Sequence, residues 1–248
     1  LKGSFILLNR IQSALRENIR AGAVQVGPFL IRFDADTDHP FRNYAIPDEG
    51  ARPTAAEVAD LVAAFVDRQR KPRLEYLAPL PAVDEPLATA DFTVDVRLPL
   101  LVLDQLQAPA TPADVTLRAV STDDELRDAA LVQNIAYGEG ADVSEADVRR
   151  LQRTNTRGGL VVLAWHGTTP AGSGLFTAPQ DGLVQLAAVG VRPEFRRQGI
   201  ATAVTAELSR LALAAGYTPY LEAESANEQR LYQPLGYRTI GEMIAISR

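Results

Sequence analysis

Apolar positions along this chain recur with two periods, and the switches between them lay out its elements. In residues 4–21, Leu7, Ile11, Leu15 and Ile19 return every fourth position, one stripe of a helix, and Gly22 follows as a natural helix stop. Residues 29–33 are apolar and extended, 34–40 form a loop and 43–47 a short strand. Over residues 55–70, Val58, Leu61, Val62, Phe65 and Val66 mark a helical face, and Thr54 and Glu57 have the spacing of a capping box. Pro72 restarts the chain, with a strand over 73–77, a short helix over 81–90 and an extended run over 92–103. Pro99 in that run predicts an edge or a break, since proline cannot donate to a strand ladder. Residues 105–113, with two prolines and three alanines, read as a linker.

The pattern resumes with a strand over 115–120 and a helix over 122–137, with Leu126, Ala130 and Leu131 inward. A second helix opens at Ser144, with Asp147 at the capping-box position, and runs to about Thr154 before Gly158-Gly159. Strands follow at 160–165 and 171–177, joined by a turn at 166–170 that leaves His166 exposed. The apolar run 183–191 reads as a buried strand stopped by Pro193. A helix over 200–215 ends at Gly216, and a strand at 220–224, a short helix at 227–235 and a strand at 237–246 close the chain. Asn227, at the start of that short helix, is the expected N-cap, and Gly236 its stop.

The two halves parallel each other. Pro72-Arg-Leu-Glu-Tyr-Leu matches Pro219-Tyr-Leu-Glu-Ala-Glu, and a helix precedes each while a helix and a strand follow. Pro47-Asp-Glu matches Pro193-Glu-Phe at the helix entrances, and in that alignment Pro53 falls where Gly199 stands. This reads as a duplicated strand–helix–strand–helix–strand unit, divided at residues 1–110 and 113–248.

Composition narrows the function. The net charge of −6 is spread along the chain, which argues against nucleic acid as the main partner. There is no cysteine, so thiolate catalysis and Cys-ligated metals are excluded. No apolar run approaches a membrane span and no signal peptide is visible, so a cytoplasmic location is expected. Asp34, Asp36 and Asp38 alternate, but without the glycine and distant glutamate of a calcium loop, so no metal is expected, and His39 reads as a surface residue. Trp165 reads as core.

The candidate chemistry lies between residues 189 and 201. A strand ending in Val189-Gly190-Val191 feeds Arg196-Arg197-Gln198-Gly199, and a helix starts at Ile200-Ala201-Thr202. First-turn amides lack helical partners and the helix macrodipole is positive there, so this turn suits a phosphate or pyrophosphate. Arg196 and Arg197 add charge, and Gly199 permits close approach to the backbone.

The stretch Arg196-x-x-Gly199-x-Ala201 after a Val-x-Val-x-Pro strand end resembles the acetyl-coenzyme A loop of the GCN5-related N-acetyltransferase (GNAT) superfamily. Asn227-x-x-x-x-Tyr232-x-x-Leu235-Gly236-Tyr237 resembles a second motif of that family, and the element order from residue 115, β-α-α-β-β-β-α-β-α-β, is similar to its fold. The resemblance implies a mixed-sheet α/β acyl-CoA N-acyltransferase fold, in tandem with a degenerate, partial first copy. It implies acetyl-CoA as co-substrate, with pyrophosphate on the amides of residues 197–202 and the pantetheine arm along Val189 and Val191. It also implies a cofactor contact from Asn227 and a general acid in Tyr232. Many members carry a glutamate where this chain has Gln185, so the base is sought elsewhere, in Glu222 or Glu224, which face one side of a strand. The expected reaction is acetyl transfer to a primary amine of a small molecule or peptide, by a monomer in preference to a homodimer. The alternative is a non-catalytic acyl-CoA sensor, motivated by Gln185 and the degenerate copy.

Overall fold

The computed structural model describes residues 2–35, 37–107, 109–223 and 225–248, without the side chains of residues 2–5, Ala226 and Asn227. The chain forms two compact units, one made of the part up to Leu100 together with Ile240–Arg248, the other of Leu101–Thr239. Among the described residues no helix is long and apolar enough to cross a membrane.

The first unit opens with α1 (Lys2–Arg20), which buries Ile11, Ala14, Leu15 and Ile19 as its period requires. Gly22, at φ +84°, follows it, and a hairpin of β1 (Val24–Val26) and β2 (Phe29–Arg32) comes next. Three residues are too few for β1 to show a period. Next come β3 (Tyr44–Pro47), α2 (Ala55–Val66), β4 (Arg73–Ala78), α3 (Pro81–Thr89) and β5 (Thr93–Leu103). β2 pairs with β3 antiparallel, and β3 with β4 parallel. The returning residues Glu242–Ser247 of the last strand pair antiparallel with β4. Phe29, Ile31, Leu61, Phe65, Leu74, Tyr76 and Ile244 fill the core.

The capping box on α2 is formed: Glu57 N–H donates to Thr54 Oγ1 at 3.3 Å, and Thr54 N–H to the Glu57 carboxylate at 2.8 Å. Thr54→Ala is expected to lower stability by about 1 kcal/mol, read by urea denaturation. The helix stops four residues short of the sequence expectation. Arg68 N–H and Arg70 N–H both turn back to the Phe65 carbonyl, and Gln69 adopts φ +55°. Val66 is accordingly 58% exposed rather than part of the buried face. Pro99 does not break β5, since a proline removes one donor but leaves the backbone extended. In the acidic loop, Asp34 turns to Arg32 and Arg42, at 3.6 and 3.5 Å, and His39 stacks on Phe41. No cluster of metal-ligating side chains occurs among the described residues.

The second unit runs β6 (Val115–Val120), α4 (Asp123–Tyr137), α5 (Glu145–Thr156), β7 (Leu160–His166), β8 (Thr169–Phe176), β9 (Leu183–Val191), α6 (Ile200–Ala214), β10 (Thr218–Glu222), α7 (Ala226–Tyr232) and the start of β11 (Tyr237–Ser247). β6 to β9 form an antiparallel meander, and β10 joins β9 in parallel. Side chains alternate between two cores, as a strand period of two demands. Val161 and Leu163 join the cluster of Leu126, Ala130 and Leu151, whereas Val162 and Ala164 join that of Val204 and Leu208. Leu131 is only half-buried, and Val132 takes the inward place. His166 belongs to β7 and lies against the Phe195 ring at 5.3 Å, not in an exposed turn. Trp165 is half-buried, with the Arg118 guanidinium 4.8 Å above its ring.

Candidate active site

The site begins with a fault in β9. Ser173 faces Gly190 and Leu175 faces Ala187, so β9 carries one residue more than β8 over this span, a β-bulge. Ala188 absorbs it at φ +52°. On the other edge, β10 is in register with β9 only from Leu183↔Thr218 to Gln185↔Tyr220, although β9 runs on to Val191. The two parallel strands therefore part after Gln185, and the β10-facing edge over residues 186–191 lies beyond the ladder. An extended ligand can add to such an edge as a strand would. Tyr137, at the end of α4, donates its hydroxyl to the Val189 carbonyl at 3.4 Å.

The loop after β9 ends in a helix without a side-chain cap. Gly199 is the N-cap of α6, at φ +79° and ψ 2°, and has no side chain to fill the first-turn amides. Ala203 N–H makes the first ladder bond, to the Gly199 carbonyl at 2.9 Å. The amides of Ile200, Ala201 and Thr202 precede that bond. Arg197 is also left-handed, at φ +60°, so left-handed residues stand at both 197 and 199, and backbone of this kind in a turn is what an anion nest is built from.

The two arginines divide their work. Arg196 Nη2 donates to the Ala136 carbonyl near the C-terminus of α4 at 3.0 Å, and Nε to the Val191 carbonyl at 3.2 Å. Its own N–H bonds Pro193 O at 3.3 Å. Arg196 thus braces the loop, with its charge at the negative end of a helix dipole. Arg197 is exposed. Gln198 is exposed too, with its amide 3.4 Å from the Glu194 carbonyl.

Three glycines seat this assembly: Gly190, already in the expected cofactor strand, and Gly172 and Gly174, which the sequence reading passed over. A Cβ on Gly172 would stand 2.5 Å from Ile200 Cγ2, one on Gly174 2.9 Å from Val204 Cγ1, and one on Gly190 2.7 Å from Ala136 Cβ. Gly172 and Gly174 stand two apart on β8 and so share a face, a spacing that signals close helix approach.

The second motif folds differently at its start. Ser225, not Asn227, is the N-cap of α7, with its side chain accepting Glu228 N–H at 3.2 Å. Asn227 is the second helical residue, and its side chain lies outside the described set. Pro234 ends α7 at Tyr232, and a 3-10 turn over Gln233–Leu235 leads to Gly236 at φ +98°. Tyr232 is 8% exposed and meets Tyr237 edge-on, with ring centroids 6.1 Å apart. Tyr237 shares a hydrogen bond of 2.8 Å with Ser209. Burial keeps the Tyr237 hydroxyl protonated far above the ordinary phenol range, with Ser209 pulling the other way.

Of the carboxylates, Glu222 ends β10, half-buried, and accepts a hydrogen bond from Gln185 Nε2 at 3.2 Å. Glu224 lies outside the described residues.

Residues 126–237 match the family model described as the acetyltransferase (GNAT) family. They form a GNAT-family domain. Among solved structures, the chain is similar to a GCN5-related N-acetyltransferase from Kribbella flavida, at 26% identity and TM-score 0.78, over 97% of this chain and 95% of that one. It shares the fold of a GCN5-related N-acetyltransferase from Sphaerobacter thermophilus, at 17% identity and TM-score 0.68, over 89% and 75% of the two chains. A tandem GNAT protein from the clavulanic acid biosynthesis pathway has a similar fold, at 14% identity and TM-score 0.61, over 91% and 81%. No curated protein matches the chain in sequence. The uncapped loop is thus part of a GNAT acetyltransferase-family domain in a mixed-sheet α/β fold.

Within the first unit, β3, α2, β4, α3 and β5 follow in the order of β9, α6, β10, α7 and β11, and the first and third elements of each set pair in parallel. The N-caps correct the residue match at the helix entrance. Thr54, not Pro53, corresponds to Gly199, because each is the cap of its helix. In α2 the capping box occupies two of the corresponding amides: Thr54 Oγ1 accepts the N–H of Glu57, at the position of Thr202, and the Glu57 carboxylate accepts the N–H of Thr54, at the position of Gly199.

Proposed function

We propose that this GNAT domain transfers an acetyl group from acetyl-CoA to a primary amine of a small molecule or peptide, by direct attack in a ternary complex. The observation that carries this reading is the bare N-terminus of α6 beside the parted strands β9 and β10. Amides from about Arg197 to Thr202 suit a pyrophosphate, and the β9 edge at Val189 and Val191 suits an extended pantetheine arm. A β9 amide near Val189 would polarise the thioester carbonyl.

In this reaction the amine nitrogen bonds to the carbonyl carbon, the carbon–sulfur bond breaks, the amine gives up a proton and the thiolate gains one. Glu222 is the proposed acceptor of the first proton and Tyr232 the donor of the second. Tyr232 is held among apolar residues and Tyr237, which fixes its ring. Calorimetric titration with acetyl-CoA, followed by thiol release against a panel of primary amines, tests the reading, and absence of binding at millimolar acetyl-CoA overturns it. Tyr232→Phe is expected to keep acetyl-CoA binding while kcat falls about 10²–10⁴-fold. Unchanged turnover in that variant removes Tyr232 from the acid role.

The proposal assigns residues 113–248 to the catalytic domain and 1–110 to a degenerate, partial copy. The shared element order and the side-chain-capped N-terminus of α2 support that assignment.

A further inference from the structure

Gln185 and Glu222 stand where β9 and β10 separate. Gln185 pairs with Tyr220 at the last rung of the parallel ladder, and Glu222 is two positions further, on the face that Tyr220 and Gln185 share. The peptide of Gln185 is fixed on both sides by Thr177. Gln185 N–H donates to Thr177 Oγ1 at 3.1 Å, and Thr177 N–H donates to the Gln185 carbonyl at 2.9 Å. From this fixed backbone the Gln185 amide reaches Glu222 Oε1 at 3.2 Å.

A carboxamide takes no proton near neutral pH, so Gln185 itself is no base. It is a donor aimed at a carboxylate, and a carboxylate accepts up to about four hydrogen bonds, so one from Gln185 orients Glu222 without exhausting it. We infer that Gln185 is a positioning residue for Glu222, and that the base has moved from β9 to the end of β10 while the amide on β9 holds it in place. This rests on the amine acetylation proposed above. In the step, the proton leaving the attacking nitrogen passes to the Glu222 carboxylate as the carbon–nitrogen bond forms. The carbon–sulfur bond breaks, Tyr232 protonates the sulfur, and Glu222 and Tyr232 return to their starting states through solvent. The sum is amine plus thioester giving amide plus thiol.

The test exchanges the two groups across their hydrogen bond. Acetyl-CoA binding is measured by calorimetry, and thiol release with tryptamine, spermidine and a lysine-bearing peptide as acceptors. Glu222→Gln is expected to lower kcat by about 10²–10⁴-fold with acetyl-CoA affinity within about twofold of wild type. Gln185→Met, which keeps the volume and loses the donor, is expected to lower kcat about tenfold with little change in KM. The double variant Gln185→Glu/Glu222→Gln restores the pair with the carboxylate on β9, and is expected to recover at least about tenfold in kcat over Glu222→Gln. Thermal midpoints of all three check folding. A purely structural role for the pair would lower the midpoint and leave kcat in place. Unchanged kcat in Glu222→Gln, or a double variant no faster than Glu222→Gln, overturns the inference while leaving the acetyltransferase reading intact. A wild-type protein that binds acetyl-CoA and acetylates none of the amines overturns the reading itself.

Discussion

Gly199→Pro is expected to abolish acetyl-CoA binding, raising Kd by at least about 100-fold in a calorimetric titration, a loss of roughly 2.8 kcal/mol. Gly199 holds φ +79°, whereas a proline ring fixes φ near −65° and removes the N–H. The substitution therefore swings the amides on either side of the cap out of their common direction and deletes one of them. Helix α6 itself should persist, because Val204, Leu208 and Ala212 anchor it in the core. Circular dichroism then separates loss of the cradle from loss of the fold. Gly199→Ala gives the graded case. Its Cβ meets only Pro112 Cγ, at 3.4 Å, so the main penalty is about 1–2 kcal/mol for a left-handed alanine, and binding is expected to weaken about tenfold. The wild-type stoichiometry should be one acetyl-CoA per chain, because at the entrance of α2 the Thr54 hydroxyl and the Glu57 carboxylate already take the N–H groups of Glu57 and Thr54, and the carboxylate adds negative charge where a pyrophosphate would sit. Undiminished affinity in Gly199→Pro would show that the pyrophosphate binds elsewhere.

The contrast between Gly199 and Thr54 also shows what the sequence does and does not disclose. Element order from residue 115 onward was legible because each helix carries a cap or a glycine stop and each buried strand an apolar run. Ser144 with Asp147, and Gly199 before Ile200, mark their boundaries directly. The β9 bulge was not legible: Ala187-Ala188-Val189 contains no turn-forming residue, and the φ of +52° at Ala188 goes with a register shift against β8 that only the pairing of the strands reveals. Aligning the halves on their prolines placed Pro53 opposite Gly199, one residue off, since only hydrogen bonds define a cap. Arg196 read as a ligand charge because its carbonyl partner Ala136 is remote in sequence. Gln185 read as a missing base for the same reason, and only the fold sets it beside Glu222.

Gly236→Ala is expected to be the most destabilising single substitution proposed for this chain. As a helix stop at φ +98°, Gly236 would cost an alanine about 1–2 kcal/mol of left-handed strain. Its surroundings add far more. A Cβ there would stand 1.9 Å from the Gln105 carbonyl oxygen and 3.0 Å from its carbon. Those atoms are backbone and cannot turn aside as a side-chain end would. The segment carrying them is tied down on both sides, by Asp104 N–H to the Gly236 carbonyl at 3.3 Å and by Gln107 N–H to the Leu235 carbonyl at 2.9 Å. Relieving the collision must break that pairing, so the total is roughly 4 kcal/mol or more, among the largest that single substitutions produce. For a chain of this size that corresponds to a fall in Tm of roughly 8–16 °C, measurable by thermal denaturation. Gly216→Ala is the control. Gly216 is also left-handed, at φ +81°, but a Cβ there meets nothing within 4 Å, so the strain acts alone and the expected loss is about 1–2 kcal/mol. Equal losses at the two sites would mean that backbone strain, not the approach of Gln105, is what requires glycine at 236. A much larger loss at Gly236 would show that the motif glycine does more than end a helix: it admits the strand-to-linker segment whose amides hold the Leu235 and Gly236 carbonyls, in the turn that directly follows the proposed acid Tyr232.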